Sequence, residues 1–160
     1  MYRLVTGSTG QAYNRLDLTS ALSGIVTVEV GVIHKSTAAG TFANLIFLMT
    51  EKSDTPVASI AFDRPGSSTT LKYHDGSGWK TSKQVPGTNI TYTPGEYAVV
   101  KAVFDLNAGV YDVYYNGVLV YEDVSFRYPA GMDSISYLNF GTTKANEEIL
   151  FDFIKVYKEE

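Results

Sequence analysis

The stretch KYHDGSGWK, residues 72–80, gathers four side chains suited to holding a sugar ring: Tyr73, His74, Asp75 and the only tryptophan, Trp79. A flat aromatic face lets the C–H groups of a pyranose shed water, while His and Asp supply donors and acceptors that read its hydroxyls. Covering about 50–100 Å² of apolar surface in this way stabilises by about 1–2.5 kcal/mol. Two such contacts with hydrogen bonds give a dissociation constant on the order of 0.1–1 mM, the weak affinity of a module that relies on multivalency. The Asp-Gly-Ser-Gly run marks a turn, so the flanks of this hairpin would form one wall of a site. The same residues fit a second reading, in which Trp79 packs in the core beside the loop and Asp75 only stabilises the turn.

Other candidates lie elsewhere in the chain. Arg64, in AFDRPGSS, offers a planar guanidinium for sugar hydroxyls or a carboxylate, against the alternatives of a solvated loop or a pair with Asp63. Lys101 and Tyr114 fall on the non-core faces of neighbouring strands, where they form either a binding surface or an ordinary solvated one. Arg127 and Tyr128 sit in the loop FRYPAG. Asp152, in ILFDFIKVY, has Phe151 and Phe153 on one strand face and Leu150, Ile154 and Val156 on the other. It is therefore expected to be buried, and a buried carboxylate is hydrogen-bonded, paired or metal-bound.

Bulk properties remove several classes of function. The chain has 160 residues, 13 basic and 17 acidic, with a net charge of −4 and no Lys/Arg cluster, so nucleic acid is not an expected partner. The absence of cysteine rules out thiolate metal sites and cysteine nucleophiles but leaves the compartment open. No apolar run is long enough to span a bilayer, and the first twenty residues lack the apolar core of a signal peptide. Met1 reads either as an expression start on a domain cut from a longer chain or as a genuine start. Serine-nucleophile, Gly-rich phosphate-binding and metallohydrolase motifs do not occur.

The elements that must position the candidates are strands. Helical periodicity is nearly absent. Alternating or continuous apolar runs predict strands near 15–20, 25–34, 42–50, 57–62, 69–74, 79–83, 97–105, 110–115, 118–126, 134–140 and 149–157. Asn107-Ala108-Gly109 and Asn116-Gly117 close two hairpins, the latter with the strongest short turn signal. Parity assigns Val26, Val28, Val30 and Val32 to the core, with Ala98, Val100, Ala102 and Phe104. Tyr111 and Tyr115 face inward and Tyr114 outward. Regular turn spacing without a linker or repeat predicts one all-β domain over residues 1–160, a sandwich or barrel.

In order, GIVTVEVGV, FANLIFLMTEKSDTPVASIAFD, LKYHDGSGWK, VVKAVFDLNAGVYDVYYNG and ILFDFIKVY resemble a laminin-G-like domain of the concanavalin A-like lectin and glucanase superfamily, over roughly residues 17–158. The resemblance implies a jelly-roll β-sandwich of two curved antiparallel sheets. It also implies a glycan-binding accessory module, excised from a secreted bacterial multidomain enzyme or surface protein, extracellular and monomeric within that chain. Such relatives often hold a structural calcium ion, which makes Asp152 a candidate ligand beside the alternative of backbone hydrogen bonds.

The resemblance equally raises catalysis. Related glucanases carry paired carboxylates as ExDxxE on one strand, a pattern missing here, where Glu29 has Thr27 and Gly31 as same-face neighbours. Related alginate lyases use His and Tyr with Arg and Gln partners; His34 and Tyr115 are present without the surrounding motifs, and a strand-end His reads as a surface residue. The expectation is therefore a non-catalytic carbohydrate-binding module that uses Trp79 and Tyr73 for stacking and His74, Asp75 and Arg64 for orientation. The alternatives, in order, are a protein-interaction or adhesion domain, a structural spacer, and a lyase or glucanase.

Overall fold

A computed structural model describes residues 1–8, 12–35, 40–50, 53–64, 68–81, 85, 86, 88, 90–127, 133–142 and 144–158. Tyr128 and the 82–83 end of one predicted strand lie outside them. The described strands are β1 (Tyr2–Val5), β2 (Ala12–Leu22), β3 (Ile25–His34), β4 (Thr41–Thr50), β5 (Ser53–Arg64), β6 (Thr70–His74), β7 (Trp79–Lys80), β8 (Tyr97–Asp105), β9 (Val110–Tyr115), β10 (Val118–Ser125), β11 (Ile135–Thr142) and β12 (Glu148–Lys158). Only β1 went unpredicted: four residues, of which Leu4 alone is buried, are too few to show a period.

The strands form two antiparallel six-stranded sheets. Sheet A runs β1-β12-β3-β8-β9-β10 and sheet B runs β2-β11-β4-β5-β6-β7. Register explains why sheet A holds. Val26, Val28, Val30 and Val32 lie opposite Phe104, Ala102, Val100 and Ala98, and all eight are buried, as alternation requires when one face meets a core. Asn116 and Gly117 have φ of 50° and 82°, so the β9–β10 turn needs the left-handed backbone that this pair tolerates.

The inward tyrosines tie the sheets together. Tyr121 Oη donates to the Leu71 carbonyl at 2.5 Å, and Tyr111 Oη donates to the His74 carbonyl at 3.1 Å. Each carries a ring from sheet A into the core and ends on a polar group of sheet B. Each phenol is thereby satisfied where an orphan hydroxyl would be costly. Burial pushes both phenols above the ordinary tyrosine range. At the opposite side of the core Phe140 of sheet B meets Phe151 of sheet A edge-on at 4.8 Å.

Two β-bulges decide which way functional side chains face. In β4 the register slips between Asn44 and Ile46, so that Phe42 lies opposite Asp63 and Phe47 opposite Ser59. The two phenylalanines, five residues apart, thus share the outer face of sheet B, where strict alternation would separate them. In β12 the slip falls at Asp152: Phe151 pairs with Val32 and Phe153 with Gly31. Phe151 enters the core, Phe153 passes to the outer face, and Asp152 is exposed. The expected burial of Asp152 is therefore overturned, because the bulge releases it from the alternation that predicted it. A close approach also fixes β2 against β11: a Cβ at Gly141 would lie 2.1 Å from the Ala12 carbonyl oxygen, so only glycine fits.

Candidate functional site

The candidate site is the outer face of sheet B. β6 places Leu71 and Tyr73 inward, and Lys72 and His74 outward; β7 sets Trp79 opposite His74. The Trp79 indole, half-buried, leans across the sheet onto β4. It meets the Phe42 ring edge-on at 4.8 Å, lies nearly parallel to Phe47 at 6.2 Å, and meets His74 at 5.6 Å. A two-residue strand at a sheet edge thereby holds its aromatic ring in a fixed orientation.

The same parity removes Tyr73. It is 2% exposed, packed 4.6 Å from Tyr121 in the core, and offers no face for stacking. The expectation that Tyr73 and Trp79 stack together on a ligand is corrected by the period of two: Trp79 shares its face with His74, and Tyr73 points to the other.

His74 and Asp75 shape the turn beneath the indole. Asp75 Oδ1 accepts hydrogen bonds from Ser77 N–H at 3.0 Å, Ser77 Oγ at 2.8 Å and Gly78 N–H at 3.2 Å. Slight desolvation pushes its carboxyl up, but Ser77, Lys80 and Gly78 outweigh this and hold it below the usual range. One of its oxygens is committed to turn geometry, which is the alternative read from the sequence. His74 Nδ1 accepts from Gly76 N–H at 3.1 Å, so the neutral ring carries its proton on Nε2 as a donor. Burial first, then the charges of Arg127 and Lys80, lower its pKa, with Asp75 opposing. His74 is thus a neutral donor beside the indole.

A groove of about 410 Å³ continues from Phe47, lined by Tyr13, Phe47, Met49, Pro56, Arg127 and Asn139. Asn139 and Phe47 of its lining belong to one row across sheet B: Arg15 opposite Asn139, Asn139 opposite Phe47, and Phe47 opposite Ser59. Its size is within the range of about 300–1,000 Å³ that ligand clefts occupy. On the same face of sheet B, Lys72 Nζ engages Asp63 at 2.5 Å, and Arg15 packs over the Tyr137 ring at 3.7 Å and pairs with Asp17.

The remaining candidates go elsewhere. Asp63 is the outward residue of its pair, so Arg64 points to the opposite face, where its charge acts on His34. It is not brought to Trp79. Lys101 and Tyr114 do meet, with Nζ 4.3 Å from the ring centroid, but on the outer face of sheet A, across the sandwich. They cannot contribute to the same surface as Trp79. Asp152 approaches the Tyr97 hydroxyl at 3.5 Å and stands in solvent. Among the described residues no group of three or more His, Asp or Glu side chains is placed to hold a metal ion.

His34 also departs from its reading as a surface residue. It is 1% exposed, with Nδ1 3.0 Å from Tyr92 Oη and its ring near Phe62. Burial, then Arg64, lowers its pKa to about 4. Continuous apolar neighbours in GVIH were the available signal.

Phe42, Phe47, Tyr13 and Asn139 were not singled out from the sequence. FANLIFLMT reads as a buried strand because seven of its nine residues are apolar, and the bulge that turns two phenylalanines outward leaves no mark in composition.

No protein-family model matches the chain, and no curated protein matches it by sequence. Solved structures do match by shape. A sialidase gives a TM-score of 0.73 at 16% identity over 97% of this chain; the chain spans only 15% of that sialidase. The alginate lyase Aly36B in complex with alginate trisaccharide gives 0.66 at 11% identity, covering 99% of this chain and 81% of the lyase. A galectin of Caenorhabditis elegans gives 0.55 at 13% identity, covering 98% and 96%. Identities this low speak to architecture alone. Together with the two antiparallel sheets and their order, they show that the chain has the concanavalin A-like lectin/glucanase fold, a jelly-roll β-sandwich.

Proposed function

We propose that this chain is a non-catalytic carbohydrate-binding module, carried on a larger secreted or cell-surface protein, that takes up a polysaccharide across the outer face of sheet B. The observation that carries this reading is the half-buried Trp79 indole, clamped by Phe42 and Phe47, with Phe47 in turn lining a groove that has Asn139 and Arg127 on its wall. A fixed aromatic plane beside oriented polar groups is what a pyranose needs: one face to lose water, and partners for the hydroxyls at its rim. His74, neutral and donating through Nε2, stands where it would read one hydroxyl. The similarity to a galectin and to a small part of a sialidase supports a module of this kind. Burial of His34 removes that residue as a candidate base, since a base sealed in the core cannot reach a substrate.

The experiment is affinity electrophoresis through gels containing soluble glycans, with Trp79 fluorescence followed in parallel. Retardation by at least one glycan with a change in emission is expected, and Trp79→Ala should weaken the retardation. No retardation on any glycan would favour a protein-binding or spacer domain. Release of reducing ends or of ultraviolet-absorbing unsaturated products would show a hydrolase or lyase.

A further inference from the structure

We propose that the groove beside Trp79 is specific for a sugar bearing an anionic group, a uronic acid, and that Arg127 is the residue that binds its carboxylate. This deepens the reading of the same face and rests on it. Arg127 is half-buried where the chain leaves β10. Its N–H donates to the Val57 carbonyl at 2.7 Å, which anchors the residue against β5. The guanidinium makes one side-chain hydrogen bond among the described residues, Nη1 to Ser59 Oγ at 3.5 Å, and no ion pair.

Three acidic side chains among the described residues of this face are already engaged. Asp63 is held by Lys72, Asp17 by Arg15, and Asp75 by the turn at Ser77 and Gly78. A half-buried cation with most of its five donors unspent is therefore left on the wall of an apolar groove, between Phe47 and Pro56. Partly dehydrated guanidinium is stabilised by a planar oxyanion that accepts two parallel hydrogen bonds, which a ring carboxylate supplies and a neutral hydroxymethyl does not. Phe47 belongs both to the aromatic clamp and to the groove, so a sugar stacked on Trp79 has its neighbour within reach of Arg127. Sulfate shares the oxyanion chemistry and is the competing source of negative charge.

The test uses alginate, polygalacturonate and hyaluronan, each also in carboxyl-reduced form, with dextran sulfate as the sulfated neutral backbone. Retardation by at least one polyuronate is expected, falling about tenfold or more on carboxyl reduction and weakening with added salt. Arg127→Gln should lose the same factor while keeping its melting temperature, and Arg127→Lys, which keeps charge but not the fork, should lie between. Equal binding of acidic and carboxyl-reduced forms, or polyuronate binding undiminished in Arg127→Gln, overturns the proposal. Tighter binding to dextran sulfate than to every polyuronate also overturns it, by assigning the groove to sulfate. Binding to neutral glycans alone would leave the carbohydrate-binding reading standing and this one refuted; binding to nothing would refute both.

Discussion

The Phe42 ring meets the Trp79 indole edge-on, centroids 4.8 Å apart and planes at 78°, although β4 and β7 are separated in sheet B by β5 and β6. The intervening strand β5 carries the small residues Ala61 and Ser59, both fully buried, which leave room for this contact. The tryptophan is held across the sheet instead of swinging freely at its edge, and less rotamer entropy is lost when a ligand arrives.

Trp79→Ala is expected to lower glycan affinity by about 5–50-fold, the loss of one stacking contact, with a loss of stability of about 1–2 kcal/mol from its contacts with Phe42, Phe47 and His74. Phe42→Ala, which frees the indole without removing it, should shift Trp79 emission to longer wavelength in the unliganded protein and weaken binding less. Titration calorimetry and fluorescence measure the two effects separately. Wild-type affinity in Trp79→Ala would place the ligand elsewhere.

Tyr73, by contrast, belongs to the core. Tyr73→Ala should cost about 3–5 kcal/mol in urea unfolding, as truncation of a fully buried aromatic does. Tyr73→Phe should bind glycans as the wild type does, since its hydroxyl faces away from the ligand surface.

Lys101→Ala and Tyr114→Ala should leave binding unchanged. The pair faces outward from sheet A, and breaking its cation–π contact should cost at most about 1 kcal/mol of stability. A loss of affinity in either variant would move the site to the other sheet.

Two buried groups give the stability opposite dependences on pH. Glu147 is fully buried; Oε1 accepts from Phe42 N–H at 2.5 Å, Oε2 has no partner among the described residues, and burial raises its pKa from 4.5 to about 7. The folded state therefore favours its protonated form. That stability is fully present below pH 4.5 and is lost as pH rises towards 7, about 3 kcal/mol in all. His34 has its pKa lowered from 6.5 to about 4, so the folded state favours neutral imidazole, and stability is lost as pH falls from 6.5 towards 4, by a similar amount of about 3 kcal/mol. The two slopes oppose each other between. Against the wild type, Glu147→Gln should gain stability progressively above pH 4.5, and His34→Gln should gain it progressively below pH 6.5. Denaturation midpoints across pH 4–8 for the three proteins check both signs.

What the sequence determined by itself is the set of strands and most of their inward faces. Val26 to Val32 and Ala98 to Phe104 alternate without interruption, and an unbroken period of two leaves only one way to bury them. Asn116-Gly117 carries its own backbone requirement and so announces its turn. Trp79, His74 and Asp75 were legible as neighbours because a short hairpin keeps them together. The partnership of Trp79 with Phe42, Phe47 and the Arg127 groove was decided only by the tertiary structure. It depends on which strands become adjacent and on a bulge at residues 44–46, and neither pairing order nor bulge position is encoded in local composition. The same cause separated Lys101, Tyr114 and Arg64 from the site and turned Asp152 into solvent. A side chain's chemistry is local, but its company is set by long-range pairing.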